Sequence, residues 1–414
     1  MNPDSYMLTA SQSEREVLQQ TTSTATVMIC IDAFSQTYLS KEHTPFMHEM
    51  ASKGVRTVID PLFAFRGIET TMFTGVWPEV HGTWTEICLR QNKSASSGSL
   101  GKLMVRLLDF VASDKIRKIG RIVIQRLVER SSIRLTPNLI PAEAFDYFEA
   151  SQKRAIFESG SASAIPTIFD LLRERDIKFA FIEPPILTGD RGVVSKVANL
   201  AKSEDNIKLW YLKFGKPDKV GHKFGPHPQY FNTILREIDS YVREVIGILE
   251  ERYGELDIMI LADHGMSNVT RHHDLLHELK SLKAVLYKDY IVFLDSTMAR
   301  FWFLNEESRI EVSAWLNSLE FGHILSNEEM KKLHIPLQRR YGDLIFVVDE
   351  GKMIYPDFWS GTRKAKGMHG YAFPSSDESR PILIANKQLS SICKCEGLMT
   401  YLDVFGILRN SLSV

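Results

Sequence analysis

"ATVMICIDAF", residues 25–34, is a run of apolar and β-branched residues that ends in an acid. A run of this kind predicts a strand buried on both faces, as in a parallel sheet, with Asp32 at the carboxyl end where open α/β sheets collect their ligands. Downstream, "HTPFMHEMASKGVRTVIDPLF" (43–63) predicts a helix opened by Thr44 and Pro45 and closed by Gly54, followed by a second strand. The plan recurs in "IPTIFDLLRERDIKFAFIEPP" (165–185), with a turn at Asp176 between helix and strand. "NIKLWYLKFGKPD" (206–218) supplies another strand running into a loop, and "LDIMILADHG" (256–265) a further buried strand that again ends in an acid. Between these two, residues 229–254 place Tyr230, Ile234, Ile238, Tyr241, Val245 and Leu249 at helical spacing with charges opposite, which predicts an amphipathic helix laid on a sheet. Strands alternating with helices indicate the α/β class, with a central, mostly parallel sheet, helices on both faces and a polar site at the carboxyl edge.

The 414 residues are 44% hydrophobic, enough for one large core, and carry a formal net charge of −1. No global field therefore draws the chain to a nucleic acid polymer or an anionic membrane. No stretch of 18 apolar residues is present to span a bilayer, and residues 1–26 lack an apolar core behind a basic start. Four scattered cysteines make no disulfide framework, and the Cys393-Lys394-Cys395 triplet reads as incidental. The expectation is a reduced, cytoplasmic protein. Its charge is nonetheless partitioned: residues 99–135 hold nine Lys or Arg against three Asp or Glu. Leu103, Leu107 and Phe110, then Ile116, Ile119, Val123 and Leu127, fall on helical stripes there, predicting a helical cap with a solvated basic face. A sharper expectation is a surface for peripheral contact with anionic lipid or for a long anionic substrate. The chain thus reads as a single domain over 1–414 with a helical basic cap insertion at 96–160 and a second α+β insertion at 270–360.

Six candidate ligands stand at strand ends or in glycine-rich turns: Asp32, Asp218 and His222 in "PDKVGHKFGP", Asp263 and His264 in "ADHG", and His369 in "GMHGY". The mixture of oxygen and nitrogen donors suits Zn²⁺, or Mn²⁺, better than Mg²⁺ or Ca²⁺. Six ligands are also what two divalent metal ions need, and two ions about 4 Å apart can clamp both oxygens of a phosphoryl displacement. In "CIDAF", "TPFMHEMASKGV", "FTGVWPEVHGTW", "PDKVGHKFGP", "LADHGMS" and "KGMHGYAFP" the chain resembles the alkaline phosphatase superfamily, and most closely its type I phosphodiesterase and nucleotide pyrophosphatase branch. The resemblance implies one ion held by Asp218, His222 and His369 and another held by Asp32, Asp263 and His264. It also implies a metallohydrolase or transferase acting on a phosphodiester, pyrophosphate or phosphomonoester, and a structural role for His81. A nucleotide sugar or a lipid-linked phosphate, such as a polyprenyl-linked one, would suit the basic segment.

In that family a Thr, Ser or modified Cys completes the second ion's shell and attacks phosphorus. Counting back from Thr74 and Gly75, the position falls on Phe65, or on Arg66 if the loop is one residue shorter, and neither can attack. Thr70 and Thr71 lie five and six residues further on, and Thr70 would serve only if the helix began late. Alternatively Glu69 would bridge to the second ion while Arg66 bound a phosphate, sulfate or carboxylate at the mouth, with water activated at the ion as nucleophile. The bland reading of the same pair is a salt bridge at a helix N-terminus. Two further expectations remain open: a pseudoenzyme that binds a phosphorylated ligand without cleaving it, and a phospho-group mutase, which requires a true hydroxyl.

Overall fold

A computed structural model of the chain describes residues 25–91, 120, 140–141, 143–144, 147–162, 165–359, 364–389 and 398–414. The basic stripe expected at 99–135 and the Cys393–Cys395 pair lie outside the described residues, Gly120 aside.

In chain order the strands are β1 (Ala25–Ile31), β2 (Val55–Val58), β3 (Lys178–Ile182), β4 (Ile207–Phe214), β5 (Leu256–Leu261), β6 (Tyr290–Leu294), β7 (Met298–Phe303), β8 (Gly322–Ile324), β9 (Leu344–Val348) and β10 (Ile382–Ala385). The central sheet runs β2-β10-β5-β1-β4-β3, with β3, β4, β1 and β5 parallel and β10 antiparallel to both its neighbours. The helices used below are α1 (Pro45–Lys53), α2 (Arg66–Thr74), α3 (Ile168–Glu174), α4 (Gly189–Ser203), α5 (Lys216–Phe224), α6 (Pro228–Tyr253) and α7 (Tyr401–Leu412).

Every residue of β1 is buried, because alternate side chains serve two separate cores. Val27, Ile29 and Ile31 point to one face, where Val193 and Val197 of α4 and Ile238, Val242 and Leu249 of α6 cover them. Met28 and Cys30 point to the other, beneath Met72 and Phe73 of α2, Phe169 of α3 and Val404 and Leu408 of α7. Helices on both faces and a mostly parallel sheet agree with the class expected from sequence. One detail of the expected pattern is corrected: Tyr230 is 43% exposed and stacks on Phe224, while Phe231, Leu235, Ile238, Val242, Val245 and Leu249 are the buried stripe of α6.

Residues 290–348 form a second, antiparallel sheet in the order β6-β7-β9-β8. It shares a third core with Phe148 and Ile87, so it packs as an annex of the body. No helix among the described residues is long and apolar enough to cross a membrane.

Candidate active site

Period-two alternation carries three polar side chains to one sheet face at the carboxyl edge. Cys30, Leu261 and Lys213 lie abreast on adjacent strands, β1 pairing Cys30 with both Leu261 and Lys213. Two residues beyond Cys30 is Asp32, and two beyond Leu261 is Asp263, so Asp263, Asp32 and Lys213 converge. Asp218 and His222 are one turn apart on α5, whose N-terminus is fixed by the buried Asp190 accepting from the amides of Gly215 and Lys216, both at 3.0 Å. His369 follows the two-residue strand Gly367–Met368, which pairs with Ser267–Asn268 just beyond His264.

The structure brings all six sequence-predicted ligands to one cleft edge. His222 donates from Nδ1 to the Gly367 carbonyl (3.0 Å) and His264 from Nδ1 to the Gly265 carbonyl (2.8 Å). An imidazole held in this way turns Nε2 toward the centre, the orientation that metal-bound histidines use. His222 Nε2 lies 3.1 Å and His369 Nε2 3.5 Å from Asp218 Oδ1, an oxygen that is buried with no hydrogen-bond donor among the described residues. His264 stacks on His369 with ring centres 3.6 Å apart, and its Nε2 is 3.1 Å from Asp32 Oδ1. Ligand atoms of Asp218, His264 and His369 fall within 4.8 Å of one another, as do those of Asp32, Asp263 and His264.

Sequence reasoning missed Lys213. Its Nζ donates to Asp263 Oδ2 at 2.9 Å and lies 3.4 Å from Asp32 Oδ2. Burial works against the ammonium, but Asp263 and Asp32 outweigh it and hold Lys213 charged well above the ordinary lysine pKa. The same crowding acts on the histidines. His264, disfavoured as a cation by burial, is pushed up to about 10 by Asp263 and Asp32, whereas burial and then His264 and His222 press His369 well below the ordinary value. A lysine inside the buried run "LWYLKF" was the available signal, since an unpaired charge there would be too costly to keep.

Asp218 offers a carboxylate oxygen beside His222 and His369, with the His222 nitrogen preoriented, a donor set of the kind that Zn²⁺ or Mn²⁺ takes. Asp32 and Asp263 share the Lys213 ammonium through their Oδ2 atoms, and ligand atoms of the pair group with His264.

Phe65 is the N-cap of α2, so the helix begins at Arg66 and not late. Thr70 is consequently fully buried, its hydroxyl donating to the Arg66 carbonyl at 3.3 Å, and Thr71 is bonded to His81 Nε2 at 3.1 Å. The structure brings neither threonine to the cleft. Arg66 and Glu69 do reach it, joined by a 2.9 Å ion pair; burial opposes the charge on Arg66, and Glu69, Glu86 and Glu183 more than offset it. The cleft has a volume of about 240 Å³ and is lined by Phe65, Arg66, Glu69, Glu86, Glu183 and Lys213 beside the ligand residues. No serine or threonine is among the described residues that line it. His81 lies away from the ligands, accepting on Nδ1 from the Thr83 amide (3.1 Å).

The sequence profile of the type I phosphodiesterase / nucleotide pyrophosphatase family matches residues 26–95 and 156–372. Rat ectonucleotide pyrophosphatase/phosphodiesterase family member 7 is 28% identical over 89 residues, 21% of this chain and 20% of that protein. Human family member 5 is 24% identical over 228 residues, 53% of this chain and 46% of that protein. The matches thus span about a fifth to about a half of these relatives. Among solved structures, human ectonucleotide pyrophosphatase/phosphodiesterase 5 superposes with a TM-score of 0.65 at 18% identity, covering 94% of this chain and 95% of that one. An inactive variant of the mouse protein in complex with AMP does so with a TM-score of 0.63 at 17% identity and the same coverage.

Proposed function

Because this chain belongs to the type I phosphodiesterase / nucleotide pyrophosphatase family, we propose that it is a metal-dependent hydrolase of a phosphodiester or pyrophosphate bond in a nucleotide-like substrate. The observation that carries the reading is the convergence of Asp218, His222 and His369, with His264 beside them, around the orphaned Asp218 oxygen. Zn²⁺ or Mn²⁺ bound there supplies Lewis acidity to a phosphoryl oxygen. Arg66, oriented by Glu69 at 2.9 Å, offers its remaining N–H groups to the non-bridging oxygens, a planar fork suited to phosphate. With no aliphatic hydroxyl among the described residues that line the cleft, the reading has water attack phosphorus without a covalent phospho-enzyme. The AMP held by the mouse structural relative supports a nucleotide-like ligand. A lipid-linked substrate and membrane contact rest on 99–135, outside the described residues.

The test is hydrolysis of bis(p-nitrophenyl) phosphate and of dinucleoside polyphosphates by the full chain supplied with Zn²⁺ or Mn²⁺. Asp218→Asn is expected to lose more than the ~10–100-fold typical of a residue that only orients a ligand. Phe65 in the nucleophile's place favours one second reading, recognition of the phosphorylated ligand without cleavage. Nucleotide binding with no turnover under any metal would establish that reading and defeat hydrolysis.

A further inference from the structure

We propose that Glu350 is a positioning residue for the cleft: its carboxylate, reaching out from the antiparallel annex, ties the chain beyond His264 to the chain beyond His369 and keeps the two stacked imidazoles in register. Glu350 stands in the turn 349–352, which leaves β9 and is closed by the Lys352 amide on the Asp349 carbonyl at 2.9 Å. One carboxylate oxygen, Oε1, accepts from the hydroxyls of Ser267 (2.6 Å) and Ser376 (2.5 Å). The other, Oε2, accepts from the Ser375 amide and hydroxyl (both 2.7 Å) and from the Ser376 amide (3.1 Å). These donors fill the roughly four lone-pair sites of a carboxylate. They come from both segments: Ser267 lies three residues past His264, and Ser375 six past His369.

The backbone of the same turn meets both segments as well. Beyond His264, the Thr270 and Arg271 amides donate to the Gly351 carbonyl at 2.8 and 3.2 Å; beyond His369, the Tyr371 hydroxyl donates to the Lys352 carbonyl at 2.9 Å. Thr297, also of the annex, donates its hydroxyl to the Gly370 carbonyl at 2.5 Å. What these contacts govern is the relation between His264 and His369. Their ring centres are 3.6 Å apart, and their ligand atoms, with one of Asp218, fall within 4.8 Å of one another. The direct ladder between the two segments, Ser267–Asn268 on Gly367–Met368, is two residues long, too short to fix them by itself. Removing the Glu350 carboxylate therefore leaves the pair open to local separation.

The inference rests on the metallohydrolase reading only for an ion as the occupant of the cleft, so its first readout uses none. Hydrogen exchange of the full chain, stripped of metal by a chelator, is followed by mass spectrometry in wild type, Glu350→Ala and Glu350→Gln, with Ser326→Ala as control. The control removes the cap of the annex helix Asn327–Lys332, where the Ser326 hydroxyl bonds Glu329. In Glu350→Ala, residues 264–271 and 369–376 are expected to exchange faster together, by about 10-fold, the weight of one or two hydrogen bonds. Glu350→Gln, whose amide oxygen can still accept from Ser375 and Ser376, should keep most of the wild-type protection. Unchanged exchange in Glu350→Ala, loosening of one segment alone, or the same loosening in Ser326→Ala would each overturn the proposal. The second readout is Zn²⁺ affinity by equilibrium dialysis, expected to fall about 10-fold in Glu350→Ala and little in Glu350→Gln. Loosened segments with undiminished affinity would make Glu350 a loop staple and overturn its positioning role. Should Glu350→Ala not fold, Ser267→Ala cuts the same tie from the other side and decides by the same two readouts. No Zn²⁺ bound by the wild type would sink the functional reading, and exchange alone would then decide this one; bound Zn²⁺ and hydrolysis with unchanged exchange in Glu350→Ala would do the reverse.

Discussion

Gly370 is confined by Phe65, whose ring lines the cleft. Its φ of +75° lies in the left-handed region, and a Cβ there would strike the Phe65 ring, so a side chain meets strain and overlap together. Gly370→Ala is expected to cost about 1–2 kcal/mol from backbone conformation and about 1–3 kcal/mol more from overlap. Adding Phe65→Ala should recover only the overlap part; equal melting temperatures for the single and double variants would show that the ring is not what confines Gly370. A second residue-scale outcome concerns His81, whose pKa burial lowers to about 4. Its folded pKa lies below the unfolded value of about 6.5, so His81 costs nothing above pH 6.5. As pH falls from 6.5 toward 4 the unfolded state takes up the proton first and stability drops, by on the order of 3 kcal/mol, levelling off below pH 4. Chemical denaturation at several pH values should show His81→Asn lacking that part of the slope. The acids and histidines of the cleft were legible in sequence because strand ends and glycine turns announce them. Lys213 left only the oddity of a lysine in an apolar run, a stem that could equally reach solvent, and only the register of three strands shows the carboxylates it faces.

Elements position the ligands, and one buried carboxylate does so for a whole helix. Asp190, on α4, accepts from the first amides of α5, where helix ends leave N–H groups without partners. Asp190→Ala should therefore cost about 0.5–2 kcal/mol in denaturant unfolding, the usual range for a lost helix cap. Because α5 carries both Asp218 and His222, metal affinity measured by equilibrium dialysis should also fall about 10–100-fold, as for other residues that orient ligands. A stability loss with unchanged affinity would make Asp190 a cap and nothing more. Strand and helix positions were largely readable, since β1, β4 and β5 are buried on both sides and give continuous apolar runs. The face of α6 was readable only approximately: Tyr230 continues the periodic stripe in sequence, yet Phe224 at the end of α5 offers it a stacking partner at 4.7 Å that spacing alone does not reveal. The start of α2 was harder still. Phe65 makes no side-chain cap, so the signal that usually marks a helix N-terminus is missing there.

At the scale of the molecule, the body and the antiparallel annex are joined beside the cleft by a fully buried charge. Arg300 of β7 pairs with Asp295 at 3.1 Å and donates to the Ile87 carbonyl (2.7 Å) and the Thr85 hydroxyl (3.0 Å), clasping the segment that presents Glu86 to the cleft. The sequence offered strands on either side of this contact but no sign of it, because its partners are 215 and 213 positions away. Asp295 is further bonded to Trp359 Nε1 at 2.8 Å, and its pKa is already raised, burial outweighing the help of Arg300. Arg300→Met would strand that carboxylate, for which about 3–5 kcal/mol is the usual cost. The sign of the pH dependence follows. In the variant the folded pKa of Asp295 lies further above its unfolded value, so the penalty is small where both states are protonated and grows as pH rises through the folded pKa. Relative to wild type at the same pH, Arg300→Met is expected to be least destabilised at the acidic end and most above neutrality. Asp295→Asn in the same background should flatten the difference, since an amide oxygen keeps the Trp359 bond without the charge. A penalty independent of pH, unchanged by Asp295→Asn, would mean that Arg300 joins the annex to the body by packing alone.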